Sequence, residues 1–257
     1  MSPAARAGPR RLAWAGCTNV RDLGGHPLEG GGCTAFGVAV RADNVRNLTE
    51  AGRRALLDYG VLRVVDLRWH EELDEDAGGT LPVEVVHVPL LGRRRPEARY
   101  ERFARLAAEV EDEAEFARRL YGAYLEEFPD AIAAAVDALA SPSGTVLFHC
   151  AAGKDRTGIV AALVLRLAGV GIEAVAADYA LTDVRPLLRR GLVDGLSEEE
   201  ARARTFLLGA PFEGMARLLR DVDERYGSAA GYLGRAGLDP TAAGAVRRRL
   251  AAGAEGG

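Results

Sequence analysis

The stretch "GTVLFHCAAGKDRTGIVAALVLRLAGVG", residues 144–171, decides the fold. It opens with an apolar run that ends at Cys150, continues through a short glycine-rich and charged segment, and closes with fifteen residues that are apolar nearly all round. The first run is typical of a buried strand, and the last is typical of a buried helix. We therefore predict a strand, a tight loop and a core helix that ends at Gly169 or Gly171.

Further strands and helices alternate along the chain. The segments "GVLRVVDLRW" (60–69) and "VEVVHVPLL" (83–91) are rich in β-branched residues, which favours strands. Between them and the N-terminus, "TEAGRRALLDY" (49–59) begins with a threonine cap and stops before Gly60, which indicates a helix. This order predicts an α/β protein with a central, mainly parallel sheet flanked by helices. We expect one domain over 1–257.

Residues 93–128 differ in character, because many charges separate apolar residues at helical spacing. This pattern predicts a helical insertion of one or two amphipathic helices. A solvated insertion and a lid over a site fit the pattern equally well. The last residues, 252–257, are expected to be disordered.

Composition excludes several classes of protein. Charged residues make up 27% of the chain and nearly balance to a net charge of −4, whereas nucleic-acid binders concentrate basic charge. The sequence contains no run of about 18 apolar residues, so no membrane span is expected. The first dozen residues lack the roughly 7 to 15 apolar residues of a secretory signal, so we expect a cytoplasmic protein.

Neither a metal nor a cofactor is expected. The cysteines are Cys17, Cys33 and Cys150, and the histidines outside the loop are His26, His70 and His87. The cysteines form no C-x-x-C pair, which argues against a zinc site or a disulfide framework. The histidine spacing does not suggest metal ligands either.

The loop after the strand is predicted to bind an anion. Gly153 and Gly158 allow a tight backbone curve, so that the amides of 151–156 converge with the positive end of the next helix. Both would favour a bound phosphate. The same field favours the charged thiolate at Cys150. A nucleophile beside a phosphate is the result.

Arg156 completes a C-x5-R pattern with Cys150. Its planar fork can hold two phosphate oxygens at once, and phosphoryl transfer needs mainly positioning and charge stabilisation. Attack by the thiolate would give a phosphocysteine, which water then hydrolyses. Thr157 either assists the leaving thiolate or caps the helix, and His149 either orients the loop backbone or is structural.

Lys154 is the single lysine among 33 lysine and arginine residues. Its compact charge on a flexible stem could reach the outer oxygens of a phosphate or a second phosphate, whereas another arginine would compete with the fork of Arg156. Several cations around the loop would also suit inositol lipids. The lysine thus keeps a phosphoinositide phosphatase as an alternative.

Asp155 is the candidate general acid, because a neighbouring phosphate dianion pushes a carboxylate toward its protonated form. Lys154 opposes that effect. Asp66, at the end of a predicted strand, is the reserve acid or else a hydrogen-bonded strand terminus. Arg68 and Glu72 are expected to form an ion pair, either near the pocket or on the surface.

The ordered motifs resemble the bacterial tyrosine phosphatase family 3. Besides the H-C-x-x-G-K-D-R-T-G loop, the matching blocks are "NVRDLGG" (19–25), "VRADNVRNLT" (40–49), "VVDLRWHEEL" (64–73), "HVPLL" (87–91), "DYALTD" (178–183) and "YGSAAGYLGRAGL" (226–238). The resemblance implies a cysteine-phosphatase α/β fold with a helical insertion. It also implies cofactor-free hydrolysis of phosphotyrosine proteins or peptides to inorganic phosphate, in some members of phosphoserine, phosphothreonine or phosphoinositides as well.

Carried over to this sequence, the resemblance makes Cys150 the nucleophile, Arg156 the phosphate clamp and Asp155 the acid. The cradle would be the backbone of Ala151, Ala152, Gly153, Lys154 and Asp155. Two departures concern the surroundings of the site: Ala42 stands where a serine is usual, and a Trp-His pair follows "DLR".

Two other functions use part of the same pattern. A rhodanese-type sulfurtransferase also carries a cysteine loop between strand and helix, but C-x5-R followed by threonine argues against it. A phosphate-binding module without activity would be expected to lose Cys150, Asp155 or Arg156, and all three are present.

Overall fold

The protein is described from a computed structural model that covers residues 9–74, 81–92, 96–140, 144–182 and 197–251, with side chains left out at 96–100. The expected disorder at 252–257 lies outside these residues, as does the start of the expected insertion at 93–95. No helix in the described ranges is long and apolar enough to cross a bilayer.

Five strands of the described chain form one sheet in the order β1-β2-β5-β3-β4. They are β1 Arg21–Asp22, β2 Ala39–Ala42, β3 Val61–Asp66, β4 Glu84–His87 and β5 Thr145–His149. All neighbours are parallel except β1, which runs antiparallel to β2. The mainly parallel α/β sheet is confirmed. Strands β1 and β2 are short and carry arginines, and the sequence pattern did not predict them.

The central strand β5 sets the position of the loop. His149 at its end pairs with Ala42 of β2 on one side and with Asp66 of β3 on the other. The carboxyl ends of three parallel strands therefore meet beside Cys150. Open α/β sheets bind their ligands at such an edge.

The helices form layers on both faces of the sheet. They are α1 Glu50–Asp58, α2 His70–Asp74, α3 Pro96–Glu109, α4 Glu113–Glu127, α5 Pro129–Asp137, α6 Asp155–Ala168, α7 Ile172–Ala180, α8 Glu198–Leu208, α9 Phe212–Tyr226, α10 Ala229–Arg235 and α11 Pro240–Ala251. Leu147 of β5 faces the core beneath α1, while Val146 and Phe148 face the larger core around α6. This alternation follows the two-residue period of a strand.

Helix α6 confirms the prediction for the core helix. It ends at Gly169, whose φ of +96° is the left-handed conformation of a glycine cap. Every residue of α6 except Asp155 and Arg166 is buried. A helix fixed on all sides gives the loop before it a rigid C-terminal support.

The expected helical insertion contains α3 and α4. Helix α4 begins at the cap Asp112, whose carboxylate accepts from the Glu115 amide at 2.8 Å. One face of α4 is buried, including Phe116, Leu120 and Tyr121. Because Tyr121 reaches the loop region, the insertion contributes to the surroundings of the site.

Candidate active site

Cys150 directly follows β5, and its side chain is 2% exposed. The next peptide is turned outward, since the Ala151 carbonyl accepts from the Asn44 amide at 3.0 Å. In a planar trans peptide the N–H points opposite to the C=O. Outward carbonyls therefore aim the loop amides toward the space over Cys150.

Two further carbonyls of the loop are held in the same way. The side-chain amide of Asn19 donates to Ala152 O at 3.0 Å and to Gly153 O at 3.2 Å. The guanidinium of Arg41 donates to Gly153 O at 2.8 Å. These contacts support the predicted cradle of loop amides.

Gly153 is required by the loop geometry, but Gly158 has another role than expected. Gly153 has a φ of +66°, and an added Cβ would lie 2.5 Å from the Ala42 carbonyl oxygen. Gly158 lies inside α6, so the predicted backbone curve at this residue is wrong. A Cβ there would lie 3.1 Å from the ring of Tyr179, and its absence makes room for that ring.

We expect Gly153→Ala to lower kcat/KM roughly 10²-fold, because it forces the cradle away from β2. Its free energy of unfolding should fall by about 2 kcal/mol from the left-handed strain and the clash. Gly169→Ala is the matched control, since Gly169 also has a positive φ but nothing lies within 4 Å of an added Cβ. Assays and thermal unfolding of both variants test this. Equal activities would contradict the assignment.

Arg41 belongs to a buried cluster of charged side chains centred on Asp178. Asp178 of α7 accepts from Arg41 Nη1 at 2.9 Å and from Arg21 Nε at 3.3 Å. Burial alone would raise the pKa of Asp178, but the charges of Arg41 and Arg21 outweigh it and lower that pKa to about 2. Asp178 thus remains ionised and joins α7 to the loop through Arg41.

Arg156 is held by a carboxylate and an aromatic ring. Its two terminal nitrogens lie 2.5 and 3.0 Å from the carboxylate oxygens of Glu72, and its guanidinium lies 4.3 Å from the centre of the Trp69 ring. Burial would raise the pKa of Glu72, but the bonds from Arg156 lower it. Glu72 therefore pairs with Arg156 rather than with the expected Arg68, which pairs with Asp66 and adds only its charge to the lowering of the Glu72 pKa.

Asp66 and His149 form the floor beneath the loop. Asp66 accepts from the guanidinium of Arg68 at 2.7 and 3.0 Å. Burial opposes ionisation of Asp66, but these bonds and the nearby His149 lower its pKa. Burial lowers the pKa of His149, whose Nδ1 lies 3.1 Å from the Cys150 carbonyl. A buried carboxylate paired with arginine is a poor proton donor, which favours the structural role for Asp66.

Lys154 points to a different partner from the one expected. Its ammonium donates to the carbonyls of Leu207 and Gly209, the latter at 2.9 Å, and lies 3.3 Å from Asp155 Oδ1. The carbonyls at the C-terminal end of α8 carry a partial negative charge that suits a cation. The idea that Lys154 reaches outer phosphates, and with it the phosphoinositide alternative, gains no support from this contact.

Asp155 is the first residue of α6, and its side chain is 23% exposed. Its Oδ1 accepts a hydrogen bond from the Tyr121 hydroxyl at 2.6 Å. A carboxyl group that is partly exposed beside the nucleophile can reach a leaving group and exchange protons with water.

The model of a tyrosine phosphatase family matches residues 12–252. The chain belongs to this family. The phosphatase is 29% identical over 234 residues to the triple specificity protein phosphatase PtpB of Mycobacterium tuberculosis, covering 77% of this chain and 85% of the relative. It is 32% identical over 159 residues to a tyrosine-protein phosphatase of Nostoc commune, covering 56% of this chain and 47% of the relative.

Family membership decides between the alternatives for this phosphatase. The sulfurtransferase hypothesis is set aside.

Thr157, the third residue of α6, does not cap the helix, because Lys154 occupies the cap position. Its buried hydroxyl has no hydrogen-bond partner among the described residues. The role of Thr157 beside the thiolate stays a prediction.

Several residues that hold the site of the phosphatase were not assigned from the sequence. They are Asn19, Arg41, Tyr121, Asp178 and Tyr179, with Glu72 assigned to the wrong partner. Asn19, Arg41, Asp178 and Tyr179 lie in the family-like blocks "NVRDLGG", "VRADNVRNLT" and "DYALTD". A polar residue in such a block was the available signal, but it names no contact.

Proposed function

We propose that this phosphatase hydrolyses phosphotyrosine in proteins or peptides through a phosphocysteine at Cys150. The observation that carries the proposal is the loop of 151–153, whose three carbonyls are all held outward around a buried cysteine. Such an arrangement is a preorganised oxyanion site for the equatorial oxygens of a phosphoryl group. No metal or cofactor is needed for this chemistry.

In the first step, Cys150 Sγ attacks phosphorus while the bond to the tyrosine oxygen breaks. Asp155 supplies the proton that this oxygen takes up. Arg156 binds two equatorial oxygens through N–H groups that remain beside its pair with Glu72. Glu72 and the Trp69 ring keep the guanidinium in one plane, which lowers the entropy lost on binding.

In the second step, water attacks the phosphocysteine and gives its proton to Asp155. The S–P bond breaks, the thiolate is regenerated and inorganic phosphate leaves. The buried hydroxyl of Thr157 would donate to the departing sulfur, which helps it leave as a thiolate. After the two steps together, Cys150 and Asp155 are back in their starting protonation states.

The range of substrates is inferred from a relative and from the contacts of Lys154. Because the name of one relative records triple specificity, phosphoserine and phosphothreonine peptides are included as substrates of this proposal. Phosphoinositides are an outcome to be tested rather than the favoured substrate, since Lys154 is bound to the α8 carbonyls. A cytoplasmic location stays a prediction from the sequence.

The test is rapid-quench hydrolysis of matched phosphotyrosine, phosphoserine and phosphothreonine peptides and a phosphoinositide in EDTA. We expect a burst of dephosphorylated peptide followed by slower phosphate release, the signature of a covalent intermediate. Phosphotyrosine should be turned over fastest, because a phenolate is the best leaving group. Turnover of lipid alone, or of none of these substrates, would contradict the proposal.

A further inference from the structure

Two buried tyrosines form a directed hydrogen-bond chain that ends on Asp155. The hydroxyl of Tyr121, on α4, donates to Asp155 Oδ1 at 2.6 Å, and the hydroxyl of Tyr179, on α7, lies 2.7 Å from that of Tyr121. A hydroxyl has one hydrogen to donate. Since Tyr121 uses its hydrogen on Asp155, Tyr179 must be the donor to Tyr121.

The direction of this chain is stable across the working pH range. Both side chains are 1% exposed. Burial first, and then the negative charge of Asp155, raises the pKa of Tyr121 well above its usual value, and the same two causes raise the pKa of Tyr179. Both hydroxyls therefore remain protonated and keep their roles as donors.

The rings are fixed as firmly as the hydroxyls. They meet edge to face, with centres 6.0 Å apart and planes at 87°. Tyr179 also lies against the first turn of α6, where the missing side chain of Gly158 makes room for it. The hydrogen bonds between these side chains thus connect α4 and α7 to Asp155 Oδ1 on α6.

We propose that Tyr121 and Tyr179 are positioning residues for the general acid, and that they hold the Asp155 carboxyl group in one orientation with Oδ1 kept as a hydrogen-bond acceptor. Oδ1 accepts from Tyr121 and faces the Lys154 ammonium at 3.3 Å, so a proton on Oδ1 would oppose two donors. The proton leaves Asp155 as the phosphorus–oxygen bond breaks and is replaced from water in the second step. This inference rests on the proposed function, in which Asp155 is the acid.

The neighbouring charges define the expected pH effect. Lys154 and Arg156 favour the ionised carboxylate, and Arg41 lies behind Tyr179. Glu113 acts on Tyr179 with the opposite sign to Arg41. The phosphate dianion favours the protonated acid. The hydrogen bond from Tyr121 also favours the ionised form of Asp155, because it is donated to a carboxylate oxygen. Removing its hydroxyl should raise the pKa of Asp155 and move the basic limb of the pH–rate profile to higher pH.

The experiment compares Tyr121→Phe and Tyr179→Phe with the matched control Tyr232→Phe. The hydroxyl of Tyr232 donates a buried hydrogen bond to the Leu125 carbonyl at 2.9 Å. Tyr232→Phe therefore also removes a buried hydrogen bond, but one that does not involve Asp155. Aryl phosphates of graded leaving-group pKa supply the rates, and kcat/KM is followed against pH.

For Tyr121→Phe we expect kcat to fall about tenfold with poor leaving groups and to change little with good ones, since only the former need the acid. The basic limb should move up by about half a pH unit. Tyr179→Phe should show the same changes to a smaller extent, and Tyr232→Phe should show neither. Retained rates with good leaving groups show that each variant is folded.

Asp155→Asn separates failure of this inference from failure of the proposed function. If Asp155→Asn leaves the leaving-group dependence unchanged, Asp155 is not the acid and the proposed mechanism is wrong. If Asp155→Asn steepens that dependence while both tyrosine variants behave like Tyr232→Phe, the positioning role is overturned and the proposed function stands. Tyr179→Phe decides the matter if Tyr121→Phe does not fold.

Discussion

Cys150→Ser is expected to lower kcat for a phosphotyrosine peptide on the order of 10⁴-fold or more. A serine hydroxyl keeps the size of the side chain but is a far weaker nucleophile than a cysteine sulfur at neutral pH, so attack on phosphorus slows. Peptide binding should persist, because the cradle consists of backbone groups and Arg156. Initial rates and calorimetric peptide binding measure the two effects.

Cys33→Ser is the control for this loss, because Cys33 is exposed and lies outside the loop. Its activity should equal that of the wild type. Cys17 is a poorer control, since its thiol contacts the Asn44 carbonyl beside the cradle. Retention of more than about one per cent of activity by Cys150→Ser would argue against a cysteine nucleophile.

Arg156→Lys is expected to lower kcat/KM about 10³-fold, although the charge is preserved. A lysine cannot bind two phosphate oxygens in one plane, pair in two places with Glu72 and lie flat on Trp69. The effect should appear in both kcat and KM, since the fork contacts the phosphate before and during transfer. Steady-state kinetics with phosphotyrosine peptide measure both constants.

Arg166→Lys is the matched control, because Arg166 lies on the same helix and pairs with Asp223 at 2.7 Å. Its kinetics should stay within a few-fold of the wild type. Comparable kinetics for the two variants would mean that a single positive charge suffices at Arg156. The clamp function would then be wrong.

The elements around the loop were predictable because their signals are local. The strand that ends at His149 and the helix that ends at Gly169 are each a continuous apolar run beside a glycine, and the cap Thr49 precedes its helix directly. Strands β1 and β2 were missed because two and four residues carry too little pattern. Periodicity needs several residues to be recognised.

The contacts of the site were not predictable because they join distant parts of the chain. Asn19 lies 134 positions from Gly153, and Arg41 lies 137 positions from Asp178. The charges of Lys154 and Arg156 looked unpaired in the sequence, yet the carbonyls after α8 and the carboxylate of Glu72 receive them. Such partners depend on tertiary packing, which a single sequence does not display.

The side-chain amine of Lys154 also offers a spectroscopic probe. It is the one lysine in the sequence, and it lies between Asp155 and the end of α8. Labelling the protein biosynthetically with isotope-enriched lysine would therefore place a single lysine side-chain resonance beside the cradle, without any engineered label. Its chemical shift would report substrate binding and release at that position, and its line width would report the motion of the helix end to which the amine is bound.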